Sequence, residues 1–191
     1  MKISLMTIWH CGNYGAEMQT YATVKALRKL RHDVEVLDFR LFESNHSLRS
    51  IVGRFLNAIT PAQRTFEKFW KKYIKNISCH YHNVAELRNN PPKSDVYLVG
   101  SDQVWNEDIT GDRSAAYLLD FGGENVKRIS YASSIGVSEW NFSQSYTEMA
   151  SKQFKKFVAL SCREITGANV LSQKFKLNVK QVLDPTLLHQ D

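Results

Sequence analysis

Short apolar runs alternate along the chain with longer stretches whose apolar residues recur at helical spacing. The short runs predict strands at residues 2–9, 33–38, 95–99, 116–121, 127–136, 158–161 and 179–183. The longer stretches predict helices at 17–30, 50–59, 62–77, 83–88 and 143–157, and one from 164 to about 175. Residues 40–48 have the composition of a loop. Because strands and helices alternate, we expect an α/β fold, Rossmann-like, with a mainly parallel sheet, right-handed crossovers and helices on both faces.

The run at residues 95–99 is dense enough in apolar side chains to predict a strand buried on both faces of the sheet, and the run at 158–161 predicts another. The first leads into Gly100, which predicts a tight turn, and then into Ser101 and Asp102, which favour the N-cap of a new helix. Polar side chains at the carboxyl end of such a strand are where α/β proteins form ligand sites. Two readings of Asp102 stay open: it caps a helix, or it faces a ligand.

The amino terminus predicts a similar unit, in which a strand, a glycine-containing turn, a helix and a second strand follow one another. The turn contains Gly12, Asn13, Tyr14 and Gly15. Backbone N–H groups at such a helix start can hold a phosphate or a carboxylate. The turn lacks the three-glycine dinucleotide fingerprint, so neither NAD nor FAD is predicted.

Composition is ordinary for a soluble protein. The chain has 191 residues, 43% apolar and 23% charged, which suits one α/β domain with a sizeable core. No segment approaches the roughly 18 consecutive apolar residues of a membrane span. The three cysteines, Cys11, Cys79 and Cys162, are odd in number and far apart, as is typical of a reducing compartment, so we expect a cytoplasmic protein.

Positive charge is concentrated in one region. The net charge is +6. The segment from Arg49 to Lys75 contains seven Lys or Arg residues and a single acidic residue, Glu67. Such a region suits anionic lipid, nucleic acid or a phosphorylated substrate, although a solvated helix face is the commoner explanation. Within it, the helix predicted at 62–77 carries an apolar stripe opposite its lysines. Two readings compete: the stripe packs on the protein's own sheet, which we favour, or the helix touches the inner face of a membrane.

Cys79, His80 and His82 stand close enough in sequence to suggest a metal site. A second cluster of Cys or His that would complete it is missing from the sequence, so no metal is predicted. Alternate residues of an extended segment share a face, and we expect His80 and His82 to lie on one side of a short extended segment.

Five short motifs occur in order at predicted strand ends and helix starts, and they are specific only in combination. They are residues 12–16 with 19–22, then 99–106, 130–136, 161–164 and 183–188. Together they resemble the polysaccharide pyruvyl transferase family, from Lys2 to Leu188. Glu17, where relatives often carry an apolar residue, and Cys162, where they often carry valine, are small departures.

The resemblance implies transfer of a pyruvyl group from phosphoenolpyruvate to sugar hydroxyls, giving a ketal on a surface polysaccharide or its lipid-linked precursor, without a cofactor. It also implies two facing Rossmann-like domains, as in GT-B glycosyltransferases. We expect residues 1–188 to form the amino-terminal domain and residues 189–191 to begin a linker. The family pattern continues with a Ser-Phe-His-Gly-like motif that none of the six histidines matches, so we expect this chain to be an amino-terminal half. The expected partners are phosphoenolpyruvate and a glycan or lipid-linked sugar, with no nucleic acid.

The chemistry of phosphoenolpyruvate directs attention to residues at strand ends. Arg163 could clamp a carboxylate or phosphate bidentately, and Asp102 could bind sugar hydroxyls or act as a base. Glu164 is expected to orient Arg163 or cap its helix, and Asp184, before Pro185, to fix the exit of the last strand. Further substrate-binding candidates are Gly12, Asn13, Tyr14, Gly15, Gly100, Ser101, Gln103, Trp105, Asn106, Ser133, Ser134 and Glu164.

These assignments require the loops that begin at residues 10, 100, 133 and 161 to converge along one rim. Two alternatives stay open. One is the half of a GT-B-like glycosyltransferase that uses a nucleotide sugar, and the other is a non-catalytic domain that binds a glycan or a protein.

Overall fold

The computed structural model describes residues 1–41 and 61–188. The described residues form one parallel sheet of seven strands. These are β1 (Lys2–Met6), β2 (Asp33–Phe39), β3 (Ile77–Tyr81), β4 (Val96–Asp102), β5 (Lys127–Ser133), β6 (Phe157–Cys162) and β7 (Val179–Gln181). The expected α/β, Rossmann-like fold with a parallel sheet is confirmed.

Seven α-helices connect the strands in the described part of the chain. They are α1 (Tyr14–Lys29), α2 (Pro61–Phe69), α3 (Val84–Asn89), α4 (Glu107–Thr110), α5 (Ser114–Tyr117), α6 (Gln144–Phe154) and α7 (Ile165–Phe175). Helix α2 continues as a π-helix over Trp70–Ile74, and 3₁₀ turns occupy Gly111–Arg113 and Pro185–Leu188. The loop predicted at 40–48 lies outside the described residues from position 42 onward, and the helix predicted at 50–59 lies outside them entirely.

The strand order is β3-β2-β1-β4-β5-β6-β7. The chain therefore moves outward from β1 in one direction, returns, and then moves outward through β4 in the other. Parallel sheets place their ligand sites where this reversal leaves a crevice, outside the carboxyl ends of the two central strands. Here that position lies between the loops that follow β1 and β4.

The sheet is covered on both faces by separate apolar clusters. On one face, Val24 of α1 and Phe66, Trp70 and Ile74 of α2 and its π extension pack against β1, β2 and β4. On the other face, residues of α3, α5, α6 and α7 belong to a second apolar cluster that includes the fully buried Trp105. The preferred reading of the apolar stripe in the predicted helix 62–77 is therefore confirmed: it packs on the sheet.

The turn predicted at Gly100 is wrong, because β4 continues through Gly100 to Asp102. A Cβ atom at Gly100 would lie 3.1 Å from Cδ2 of Leu98 and 3.3 Å from the carbonyl oxygen of Tyr131. Glycine thus serves close packing between β4 and β5 and makes no turn. The helix expected to follow at once is also absent, since the next helix starts after Asn106, whose side chain caps α4.

The strand predicted at 116–121 is wrong too. The segment contains the end of α5 and a turn in which Leu119 has a φ of 56°. All of Ala116, Tyr117, Leu118 and Leu119 are fully buried. A short, uniformly apolar run has no period that separates a buried strand from a buried helical turn.

Other boundaries differ by a few residues. Helix α1 begins at Tyr14 and not at 17, because Asn13 caps it. The helix predicted to reach 77 ends at Ile74, and β3 starts at Ile77. The strand at 158–161 was expected to be buried, but it is buried only in part, and Val158 is 65% exposed. Its neighbour on one side is the short edge strand β7, which covers it incompletely.

Candidate functional site

A polar pocket of about 330 Å³ lies at the carboxyl edge of the sheet, where the strand order reverses. Its walls come from the start of α1, the end of β4, the residue after β6 and the segment after β7. The lining residues are Asn13, Gly15, Ala16, Met18, Gln19, Asp102, Arg163, Asp184 and Thr186. The pocket therefore combines one guanidinium and two carboxylates contributed by three different strands.

The turn before α1 forms the first wall. The side-chain oxygen of Asn13 accepts hydrogen bonds from the backbone N–H groups of Gly15 (2.8 Å) and Ala16 (3.3 Å). These amides were predicted to hold an anion, but Asn13 already satisfies them. Gly12, with a φ of 72°, precedes this cap, and the Tyr14 side chain is 66% exposed beside Phe66. The turn therefore forms part of the pocket wall, and the N–H groups of Gly15 and Ala16 are already hydrogen-bonded.

Gln19 lies deeper in the same wall, one turn into α1. It is 4% exposed, and its Nε2 donates to Thr7 Oγ1 at 2.9 Å and to the carbonyl of Ile8 at 3.1 Å. Its Oε1 is buried without a hydrogen-bond partner in the structure. A buried acceptor of this kind costs free energy unless a donor meets it. The sequence motif contained Gln19, but the candidate substrate-binding residues did not.

Asp102 ends β4 with a φ of 138°, a region that residues other than glycine rarely occupy. Its Oδ1 accepts the N–H of Gln103 at 2.8 Å, and the side chain caps no helix. Burial raises the pKa of Asp102, the neighbouring Asp184 raises it further, and the Gln103 hydrogen bond and Arg163 only partly oppose this. Backbone strain and a raised carboxyl pKa at one residue are features that concentrate at functional sites.

Arg163 follows β6 and pairs with Asp184, whose Oδ2 lies 3.3 Å from Nη1 of the arginine. Ser101 donates to the same oxygen at 2.7 Å, and Thr186 donates to Oδ1 through its N–H and its hydroxyl. Burial disfavours the Asp184 carboxylate, but the hydrogen bonds from Thr186, Ser101 and Arg163 outweigh it and lower the pKa of Asp184. Asp184 thus does more than fix the exit of β7, because it also holds Arg163 at the pocket.

The Glu164 side chain lies over Gly167 in the first turn of α7. Its Oε1 accepts the Ser134 hydroxyl at 2.7 Å and the N–H of Ile135 at 3.2 Å, and Oε2 lies 3.9 Å from Nε of Arg163. The side chain makes no capping hydrogen bond to α7, so the capping alternative is wrong. Glu164 joins the loop after β5 to Arg163.

The structure does not bring several other candidates to the pocket. Gly100, Trp105 and Ser133 are buried, with Trp105 bonded to the Tyr117 carbonyl and Ser133 to that of Val99. Gln103 and Asn106 bond to each other at 3.1 Å beside Gly136. The loops after β1, β4, β5 and β6 do share one edge of the sheet. Four of the predicted site residues line the pocket, namely Asn13, Gly15, Asp102 and Arg163.

Met18, Thr186 and Asp184 line the pocket without having been predicted to bind substrate. Asp184 lies 83 positions from Ser101 and 21 from Arg163 along the chain. Contacts between residues so far apart in the chain cannot be predicted from a local sequence pattern. The feature that could have indicated Asp184 is the recurrence of polar residues at strand ends, because the segment after β7 shows it too.

A second cavity, of about 380 Å³, is apolar and lies on a face of the sheet beside α1. Leu30, Leu98, Ile129 and Leu160 are among its lining residues. It lacks the convergent polar groups that direct chemistry, so the polar pocket is the better candidate for an active site.

Cys79, His80 and His82 are close in sequence around the end of β3. His80 and His82 lie on one side of β3 and the residue after it, with ring centroids 4.4 Å apart, as predicted. Within residues 1–41 and 61–188, no group of three or more His, Cys, Asp or Glu side chains is placed to hold a metal ion. The same ranges contain no helix with the length and apolarity needed to cross a bilayer.

A family model described as polysaccharide pyruvyl transferase matches residues 13–191 of the chain. The match includes every residue that lines the polar pocket. No curated protein and no solved structure matches the chain significantly.

Proposed function

Since the chain belongs to the polysaccharide pyruvyl transferase family, we propose that its polar pocket binds phosphoenolpyruvate and takes part in ketal formation on a sugar. In this reaction two hydroxyls of one sugar add to C2 of phosphoenolpyruvate. The methylene carbon gains a proton, and inorganic phosphate leaves. The observation that carries the proposal is that Asp102 and Arg163, from different strands, line one pocket at the sheet reversal.

Arg163 is the donor-binding group in this proposal. Phosphoenolpyruvate carries a carboxylate and a phosphate, and a guanidinium binds either with two parallel hydrogen bonds. The Arg163 side chain is 37% exposed, so a ligand can reach it, while its pair with Asp184 fixes its direction. Holding the donor in one orientation contributes to rate by placing C2 beside the attacking hydroxyl.

Asp102 is the proton-transfer group. A carboxylate with a raised pKa is a better base than an ordinary one, because its pKa lies closer to the pH at which the reaction runs. Asp102 would take the proton of the attacking sugar hydroxyl, and Asp184, whose pKa is lowered, would stay ionised beside Arg163. Neighbouring carboxyl groups with pKa values pushed apart are suited to two separate roles.

The test is a transfer assay with the purified protein, phosphoenolpyruvate and hexose-containing acceptors of several kinds. We expect release of inorganic phosphate together with an acid-labile pyruvyl adduct on the acceptor, detected by mass spectrometry. If the protein consumes a nucleotide sugar and does not consume phosphoenolpyruvate, it is a glycosyltransferase and the proposal is wrong. Acceptor binding without turnover of either donor would indicate a glycan-binding domain.

A further inference from the structure

Helix α2, its π extension and the residue that follows it carry five cations along one exposed side. Arg64, Lys68, Lys71 and Lys75 recur at intervals of three or four residues, Lys72 follows Lys71, and all five are exposed. These five residues are the basic face. In the sequence from 64 to 75 the single acidic residue is Glu67. Such a density of one sign creates a positive potential that attracts anionic surfaces.

The opposite side of the same helix is committed to the protein's core. Phe66, Trp70 and Ile74 are 5%, 5% and 0% exposed. In addition, Arg28 of α1 donates to the carbonyl of Tyr73 at 3.1 Å and to that of Ile74, which ties the end of the π-helix to α1. The helix is therefore held on the sheet, and it cannot turn its apolar stripe into a bilayer as a free amphipathic helix would.

Aromatic rings lie at the border of the basic face. Tyr73 is 39% exposed, and its ring lies 5.0 Å from Phe69 and 5.5 Å from Tyr21, between centroids. The ammonium group of Lys72 lies 4.9 Å from the Tyr73 ring centroid. Half-exposed tyrosine beside lysine is the combination that proteins place at the headgroup level of a membrane.

From this arrangement we infer that the basic face docks on the anionic surface of a lipid bilayer, by adsorption and without insertion. Four of its five cations are lysines, whose compact, mobile charges suit a field of headgroups, whereas planar arginine is the residue that reads bases and stacks on them. The face also runs along one helix, whereas proteins that bind a nucleic-acid strand without sequence preference hold it in a positively charged groove. The inference is independent of the pyruvyl transfer proposed above.

Vesicle binding tests the inference directly. The purified protein is sedimented with vesicles of phosphatidylcholine alone and with vesicles that also contain phosphatidylglycerol. We expect binding only to the anionic vesicles, and binding that weakens as salt screens the lysines. The variant Lys68→Gln/Lys71→Gln/Lys72→Gln should bind roughly 100-fold more weakly, since each lysine near such a surface contributes about a fivefold effect.

The chain offers a matched control on the opposite face of the sheet. Lys152, Lys155 and Lys156 are exposed around the end of α6, whose side chains pack in the other apolar cluster. Their triple change to Gln removes the same charge and should leave vesicle binding within about threefold of the original. Equal losses in the two triple variants would overturn the inference, as would no binding to anionic vesicles. In a competition assay, a short duplex RNA or DNA is added to the protein bound on anionic vesicles. Release of the protein at a lower concentration than added phosphatidylglycerol vesicles require would reassign the basic face to nucleic acid.

Discussion

The indole Nε1 of Trp70 donates a 2.6 Å hydrogen bond to Oε2 of Glu17, a carboxylate with no exposed surface. The other oxygen of Glu17 accepts the backbone N–H of His10 at 3.0 Å, and the His10 ring stacks on Trp70 with centroids 4.0 Å apart. Glu17 thus joins the loop after β1 to the π-helix. It also precedes Met18 and Gln19 in the wall of the pocket.

Changing Glu17 to Gln should destabilise the protein by about 1–3 kcal/mol, because an amide group accepts at only one of its two ends and leaves one buried donor unmatched. Urea denaturation followed by circular dichroism measures this loss. Glu124→Gln, at an exposed position, is the control and should change the free energy of unfolding little. Equal stability of the two variants would show that the Glu17 hydrogen bonds contribute nothing net.

The same pair of proteins tests a pH dependence. Burial raises the pKa of Glu17, and the hydrogen bonds from Trp70, His10 and Cys11 oppose this only in part. A carboxyl group with a higher pKa in the folded state binds more protons there than in the unfolded state, so its contribution to stability decreases as pH rises through that pKa. The stability advantage of the natural protein over Glu17→Gln should therefore shrink between about pH 4.3, the ordinary glutamate value, and neutrality. An advantage that grows over this range would contradict the raised pKa.

Replacing Arg163 with Lys should lower kcat/KM for phosphoenolpyruvate by roughly 10- to 100-fold, the effect of losing one charge-assisted hydrogen bond to an anion. Lysine keeps the positive charge but cannot bind a carboxylate through two parallel N–H groups. Steady-state kinetics with varied donor concentration measures the change. Arg31→Lys, at an exposed position after α1, is the matched control. An unchanged rate for the Arg163 variant would remove this residue from the site.

Replacing Asp102 with Asn should reduce kcat by roughly 10²- to 10⁴-fold, the usual contribution of a positioned base. For the natural protein, kcat/KM should fall as pH drops through the raised pKa of Asp102, since only the carboxylate accepts a proton. The residual rate of the variant should lack that decrease. Asp112→Asn, exposed in the 3₁₀ turn after α4, should keep both the rate and the profile. If kcat/KM of the Asp102→Asn variant falls at low pH as it does in the natural protein, a group other than Asp102 is responsible for that fall.

Gly100→Ala should cost about 1–3 kcal/mol of stability, because the added methyl group meets the Tyr131 carbonyl in a well-packed part of the sheet. Thermal unfolding measures the effect. Gly123→Ala introduces the same methyl group where no atom lies within 4 Å, and it should be close to neutral or slightly stabilising. Equal unfolding temperatures for the two variants would show that β4 and β5 adjust to the extra carbon.

The sequence was sufficient to predict the parallel sheet and six of its seven described strands, because each of these carries its own local pattern of apolar residues. Strand β3 was predicted only as a short extended segment, and its first residue was assigned to the preceding helix. The sequence also placed Asp102 and Arg163 at strand ends, which share an edge in any parallel sheet. It failed where the outcome depends on partners distant along the chain. The contact of Gly100 with Tyr131, and the role of Asp184, which depends on Ser101, are set by tertiary packing. The apolar run before Phe121 lacked any period that could separate strand from helix.

The order of strands also bears on how the protein can form as it leaves the ribosome. Of the seven described strands, β1 is made before the others and lies in the interior of the sheet, with β2 and then β3 added on one side and β4 to β7 on the other. Among these seven strands, each newly made one therefore joins an open edge, and none has to be inserted between two strands that are already paired. Domains generally fold as units during synthesis. Assembly of this sheet can accordingly follow translation step by step, without undoing earlier pairs.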